Sequence, residues 1–139
     1  MAIYLPFDFR LPYLSVPGLG MQPAIEVALY SATRATKVIG ILDSGSAFTA
    51  FSEDVAARLG IANLAEGELV RASTLAGSMD LYLFNLEMSI DLAKMSKRFA
   101  AQVAFRHGHQ SRNLLGRNLL FTHFQIGFDE NQQEIYVKF

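Results

Sequence analysis

The chain has 139 residues, a natural length for one domain, and at that size roughly 68% of the surface exposed by the unfolded chain is buried on folding. Hydrophobic residues make up 51% and charged residues 18%, which leaves apolar surface for an oligomer interface. A net charge of −1 with no basic block excludes an electrostatic nucleic-acid binder, and the absence of cysteine excludes disulfides and thiolate metal sites.

Residues 1–20 read as an extended arm, because Pro6, Pro12 and Pro17 oppose a helix. The aromatics Tyr4, Phe7, Phe9 and Tyr13 suggest that it packs against something. The N-terminus lacks a basic region followed by an apolar core, so no signal peptide is expected. No apolar run reaches the ~18 residues of a membrane span. With no cysteine, a cytoplasmic location is the expectation.

Ile25, Val27 and Leu29 alternate and predict a strand over residues 24–30. A turn at Ser31–Arg34 leads into an apolar strand, Lys37–Leu42. After a short apolar stretch, Ala47–Phe51, Ser52 is placed as a helix N-cap, with Glu53 and Asp54 suiting the first turn. Val55, Ala56 and Leu59 form the apolar stripe of that helix, and Gly60 closes it. Residues 67–83 predict a hairpin with its tip at Thr74, Leu75, Ala76, Gly77 and Ser78. The apolar alternation then changes parity, which predicts a bulge near Phe84-Asn85. Phe99, Ala101, Val103 and Phe105 mark another strand, and Arg106–Arg112 a polar loop. Arg117–Phe121 suits one or two helical turns; strands at Phe124–Phe128 and Glu134–Phe139 finish a mainly β chain. His107 and His109 lack a third ligand nearby and read as a solvated loop, so no metal is expected. His123 is read as structural, and Met79, Met88 and Met95 as core fillers.

Two segments carry chemistry. In Ile39-Gly40-Ile41-Leu42-Asp43-Ser44-Gly45-Ser46 an apolar strand ends in a carboxylate, a hydroxyl, a glycine and a second hydroxyl. A carboxylate delivered from a buried strand needs hydrogen bonds or a shared proton. Asp43 is therefore either capping its own turn or prepared for chemistry. Gly45 allows a tight turn whose N–H approaches the carboxylate. Ser46 is placed to hydrogen-bond the outer oxygen of Asp43. About 70 residues later, Leu114-Leu115-Gly116-Arg117-Asn118 is a second apolar run broken by glycine.

Together these segments resemble the retroviral-type aspartic proteases, the retropepsins and their cellular relatives. That family carries Asp-Thr/Ser-Gly after a hydrophobic strand and, later, two apolar residues, Gly, Arg, then Asn or Asp. The resemblance covers roughly residues 21–139, taken as the protease domain beyond the arm. It implies an all-β, single-domain acid protease fold: a closed, barrel-like half with one or two short helices. It implies an aspartic endopeptidase without cofactor, acting on a peptide or protein substrate. With one Asp-Ser-Gly per chain, two copies in a homodimer would supply the paired Asp43 carboxylates. By the same resemblance the Ser44 hydroxyl bonds across the dimer, the stretch Leu115-Gly116 passes close behind the catalytic turn, and the hairpin at Thr74–Ser78 is a flap over substrate. Arg117 departs from the viral pattern, because Ala47 and Phe48 stand where an acidic partner is common, so it must pair elsewhere. The arm or the C-terminal strand is expected to complete the dimer interface. A non-catalytic peptide-binding or dimerisation domain of the same fold is the alternative; a small-ligand β-barrel explains neither motif.

Overall fold

Apolar alternation along the chain becomes strands almost everywhere it occurs. The structure, a computed structural model, describes residues 6–74, 76–92, 95–108 and 112–139. In chain order the strands are β1 Phe9–Pro12, β2 Leu14–Val16, β3 Gly20–Gln22, β4 Ala24–Tyr30, β5 Ala35–Leu42 and β6 Ala50–Ser52. Helix α1 (Glu53–Arg58) follows, then β7 Glu68–Thr74, β8 Gly77–Leu92, β9 Met95–Arg106 and β10 Leu114–Leu115. Helix α2 (Leu120–His123), β11 Gln125–Asp129 and β12 Glu134–Lys138 complete the chain.

The main sheet runs β4-β5-β10-β6-β9-β8-β7, and β4 also pairs with β8. Strands β4, β5, β10, β6, β9 and β8 thus close into a ring, with β7 outside it. The short β10 lies parallel to β5 and antiparallel to β6, wedged between them. A separate sheet has the order β1-β12-β11, and β2 and β3 form a small hairpin. The aromatics of the N-terminal stretch pack on the chain's own C-terminal strand: Phe7 lies 5.3 Å from Tyr136 and Phe9 5.1 Å from Phe139. The Tyr13 hydroxyl donates to Glu130. Burial and that carboxylate push the Tyr13 phenol up to about 12.

The predicted bulge at Phe84-Asn85 is absent. The β8–β9 register runs without a slip from Tyr82↔Phe105 to Leu92↔Met95. The parity change has another cause. Side chains of one strand alternate between its two faces. Phe84, Leu86, Met88, Ile90 and Leu92 face the main core, whereas Leu81 and Leu83 face a smaller cluster with Ala50 and Ala104. The strand is straight in register and changes which face it buries.

Ser52 occupies the N-cap position of helix α1, the helix buries Val55 and Ala56, and Gly60 closes it at φ +82°. The Ser52 hydroxyl bonds the Asp54 carboxylate and makes no cap bond to backbone. Helix α2 starts three residues later than the apolar pattern predicts. Arg117 and Asn118 are already held by hydrogen bonds described below, so the chain turns helical only beyond them. Among the described residues no helix is long and apolar enough to cross a membrane.

Candidate active site

Leu42, 5% exposed, anchors the end of β5 in the core, and the next residue, Asp43, is half-buried. The Asp43 N–H donates to the Leu115 carbonyl (3.0 Å), which ends the parallel β5–β10 pairing. Beyond this point the chain turns sharply: the Ser46 N–H donates to the Asp43 carbonyl (3.2 Å), and the Gly45 N–H to Asp43 Oδ1 (2.9 Å). An aspartate that hydrogen-bonds its own backbone two residues on holds its carboxylate in one orientation. Ser44 and Gly45 are exposed, so the turn is open on its outer side.

Ser46 does not reach Asp43 through its side chain. Its hydroxyl donates instead to the Phe48 carbonyl (2.7 Å), within its own loop. The expected Ser46–Asp43 side-chain bond is thus replaced by a local one, because a hydroxyl two residues from a carbonyl is better placed for it.

Gly116 stands directly behind the turn. A Cβ there would lie 2.2 Å from the Phe48 carbonyl oxygen and 2.7 Å from that of Ser46, so only glycine fits. Its N–H donates to Thr49 Oγ1 (3.1 Å), and the Arg117 N–H donates to the Ser46 carbonyl (2.8 Å). The Thr49 N–H donates to Asn118 Oδ1 (2.9 Å), and Asn118 Nδ2 donates to the Gln102 carbonyl (3.0 Å). Leu115, fully buried, packs against Gly40, where a Cβ would meet its Cγ at 2.6 Å. The two motifs are thus one unit, with residues 113–118 bracing residues 40–49.

Asp43 opens onto a cleft whose walls include Phe48, Ala50, Ala72, Met79 and Leu81. The stems of the β7–β8 hairpin supply one wall. Thr74 pairs with Gly77, so the connection between strands is residues 75 and 76, and Gly77 and Ser78 belong to β8. Of the tip, Ala76, Gly77 and Ser78 are exposed, and Leu75 lies outside the described residues. Met79, expected in the core, is 39% exposed in the cleft wall, while Met88 is buried.

Arg117 lines the cleft with its side chain exposed, and among the described residues it has no ion-pair partner. Arg106 and Arg112 line the same cleft. Arg106 is 7% exposed, and burial lowers its guanidinium below the usual arginine range without making it neutral at ordinary pH. His107 receives a carboxylate at Nδ1, that of Glu53 at 3.0 Å, and His109 lies outside the described residues. No group of residues among those described could hold a metal ion. The His123 ring rests on Phe99 at 4.1 Å, and burial, then Lys97, lowers its basicity.

Residues 35–119 match the family model described as aspartyl protease. The chain belongs to the aspartyl protease family. Its fold is that of the retropepsin-like members: a retropepsin-like aspartic protease from Rickettsia conorii superposes with a TM-score of 0.62 at 17% identity, covering 92% of this chain and 98% of that one. No match was found among curated proteins. Family and fold together point to a protease-type hydrolase, all-β in architecture as the motifs implied.

Thr49, Asn113, Asn118 and Arg106 were not singled out from sequence as site residues of this aspartyl protease. Asn113 accepts the Ser52 N–H at its side chain, and its carbonyl accepts the Ile41 N–H. Asn118 had a signal, its place after Gly116-Arg117. Thr49 and Arg106 had none.

Proposed function

We propose that this aspartyl protease is an endopeptidase that works as a homodimer, with the Asp43 carboxylates of two copies sharing one water and one proton. The observation that carries this reading is the placement of Asp43. It is the one carboxylate among the described residues lining the cleft, its orientation is fixed by the Gly45 N–H, and its turn is braced from behind and open in front.

One chain offers half the chemistry. A twofold axis beside the exposed Ser44-Gly45 face would bring equal residues opposite each other, and Ser44 is then placed to bond across it. Two carboxylates within a few ångströms cannot both ionise easily and hold one proton between them. The ionised Asp43 takes a proton from the bound water, and the water oxygen attacks the peptide carbonyl carbon. The protonated Asp43 gives its proton to the carbonyl oxygen, forming a neutral tetrahedral diol. When the diol collapses, a hydroxyl proton returns to one carboxylate, the amide nitrogen takes a proton from the other, and the C–N bond breaks. The hairpin Thr74–Ser78 covers an extended peptide laid along the apolar wall of Phe48, Ala50 and Leu81 and excludes water during these steps.

The test is cleavage of unfolded apolar peptides by wild type and Asp43→Asn from about pH 4 to 7, bracketing the acid side above an ordinary aspartate. Wild type should show a maximum within the acidic half and a rate that falls on dilution. Asp43→Asn should lose cleavage by at least ~1000-fold while keeping its circular dichroism and its dimer. Undiminished cleavage by Asp43→Asn, or a strictly monomeric active enzyme, would overturn the proposal.

A further inference from the structure

Arg106 is the last residue of β9, opposite Ser52 in the parallel β6–β9 pairing. It is a charged residue buried to 7% exposure, and among the described residues its side chain meets no carboxylate and donates no hydrogen bond. Yet no buried side-chain nitrogen is left sealed without a partner, so its donors reach the open space that it lines, which is the Asp43 cleft. A guanidinium taken out of water is costly unless an anion or acceptors meet it. Asp43 is not that anion: it lies beyond ion-pair distance and is engaged by Gly45. The whole chain carries a net charge of −1, but the described cleft lining holds Arg106, Arg112 and Arg117 against the single Asp43.

We propose that the Arg106 guanidinium anchors a carboxylate of the bound peptide, so that this cleft takes acidic segments. The inference rests on the peptide-cleft reading above. Arginine presents a planar fork that matches both oxygens of a carboxylate, and charge-assisted pairs of this kind are the strong ones. Arg106 supplies the buried, orienting contact. Arg112 and Arg117, both exposed, add a field at the cleft lining that draws acidic chains in. The carboxylate comes either from an internal Asp or Glu side chain or from a peptide C-terminus.

Binding, not cleavage, tests this. Full-length Asp43→Asn is titrated with labelled peptides that share an apolar Leu-Phe core, each flanking position set in turn to Glu, Gln or Lys, with the C-terminus amidated or free. Amidated Glu peptides should bind about tenfold to a hundredfold tighter than their Gln counterparts at one flanking position, with Lys weakest. A contrast confined to free against amidated C-termini assigns the carboxylate to the terminus and equally supports the anchor. Arg106→Met should bring either contrast to about one, and Arg106→Lys should keep a part of it. Equal binding of Glu, Gln and Lys peptides with both termini, or a contrast that survives Arg106→Met, overturns the proposal, and the wild-type residue at 106 suffices for the first of these should the methionine variant not fold. An Arg106-dependent preference, together with wild-type protein that cleaves none of the peptides, overturns the protease reading and leaves this one standing.

Discussion

The two sides of the cleft are built on opposite plans. The Asp43 turn is tied to residues more than sixty positions away through Thr49–Gly116 and Thr49–Asn118, and its rear has no room for even one added carbon at Gly116. The outer end of the β7–β8 hairpin is paired strand to strand from Glu68↔Leu83 to Thr74↔Gly77, its described tip is exposed, and a Cβ at Gly77 would meet nothing within 4 Å. One wall is held in place by close packing and buried polar bonds; the other is a two-stranded hairpin whose described tip stands in solvent. The braced turn and the exposed hairpin are supplied by different sequence segments.

The hardest blow to the rigid wall is Gly116→Ala. The new carbon clashes with backbone that cannot withdraw without breaking the Arg117–Ser46 bond, so stability should drop by about 3 kcal/mol or more, and cleavage should vanish with it. Urea unfolding and a peptide assay read both. Thr49→Val is milder. It keeps the shape but leaves the buried Gly116 N–H without an acceptor, a cost of about 1–3 kcal/mol in the same urea experiment, with the fold retained. A Thr49→Val as stable as wild type would mean that the brace is packing alone.

The hairpin wall should answer differently. Gly77→Ala strains a backbone at φ +117° but meets no atom, so the stability loss should be about 1 kcal/mol and the effect should fall on substrate turnover. Amide exchange sharpens the contrast: residues 76–78 should exchange fast and slow on binding a peptide-like inhibitor, while the Asp43 and Gly116 amides stay protected throughout. Fast exchange at Gly116 would erase the distinction between the walls.

The smallest effect lies outside both. His123 is held less basic than a free imidazole, so below about pH 6.5 the unfolded chain binds a proton that the native one resists. Stability should therefore fall as pH drops through and below that value, and His123→Phe should flatten this slope in thermal melts without moving the cleavage maximum.

What sequence could reveal follows the same division. Asp43-Ser44-Gly45 and Leu115-Gly116 were legible because their chemistry is local: a strand end, a tight turn, a glycine where a side chain cannot go. Strands β4 and β9 are legible from alternation, and β5 from its apolar run. Thr49 was not, because a threonine in an apolar stretch looks like any β-former until Gly116 arrives beside it. Arg106 looked like the start of a polar loop, because nothing in its neighbours tells that its stem is buried. The parity change along β8 is visible in sequence but reads as a bulge, since a strand facing two clusters in turn leaves the same trace. The pairing of β1 with β12 joins nearly opposite ends of the chain and leaves no local sign.

The wedge of β10 between β5 and β6 also sets an order in time. A growing chain that has emerged only as far as residue 110 contains the whole Asp-Ser-Gly turn and the hairpin, but neither Leu115 to receive the Asp43 N–H nor Gly116 and Asn118 to engage Thr49. Domains fold as synthesis proceeds, and contacts distant in sequence close last. The Asp43 turn is made early and braced late, so a half-synthesised copy carries the aspartate without the contacts that hold its turn from behind.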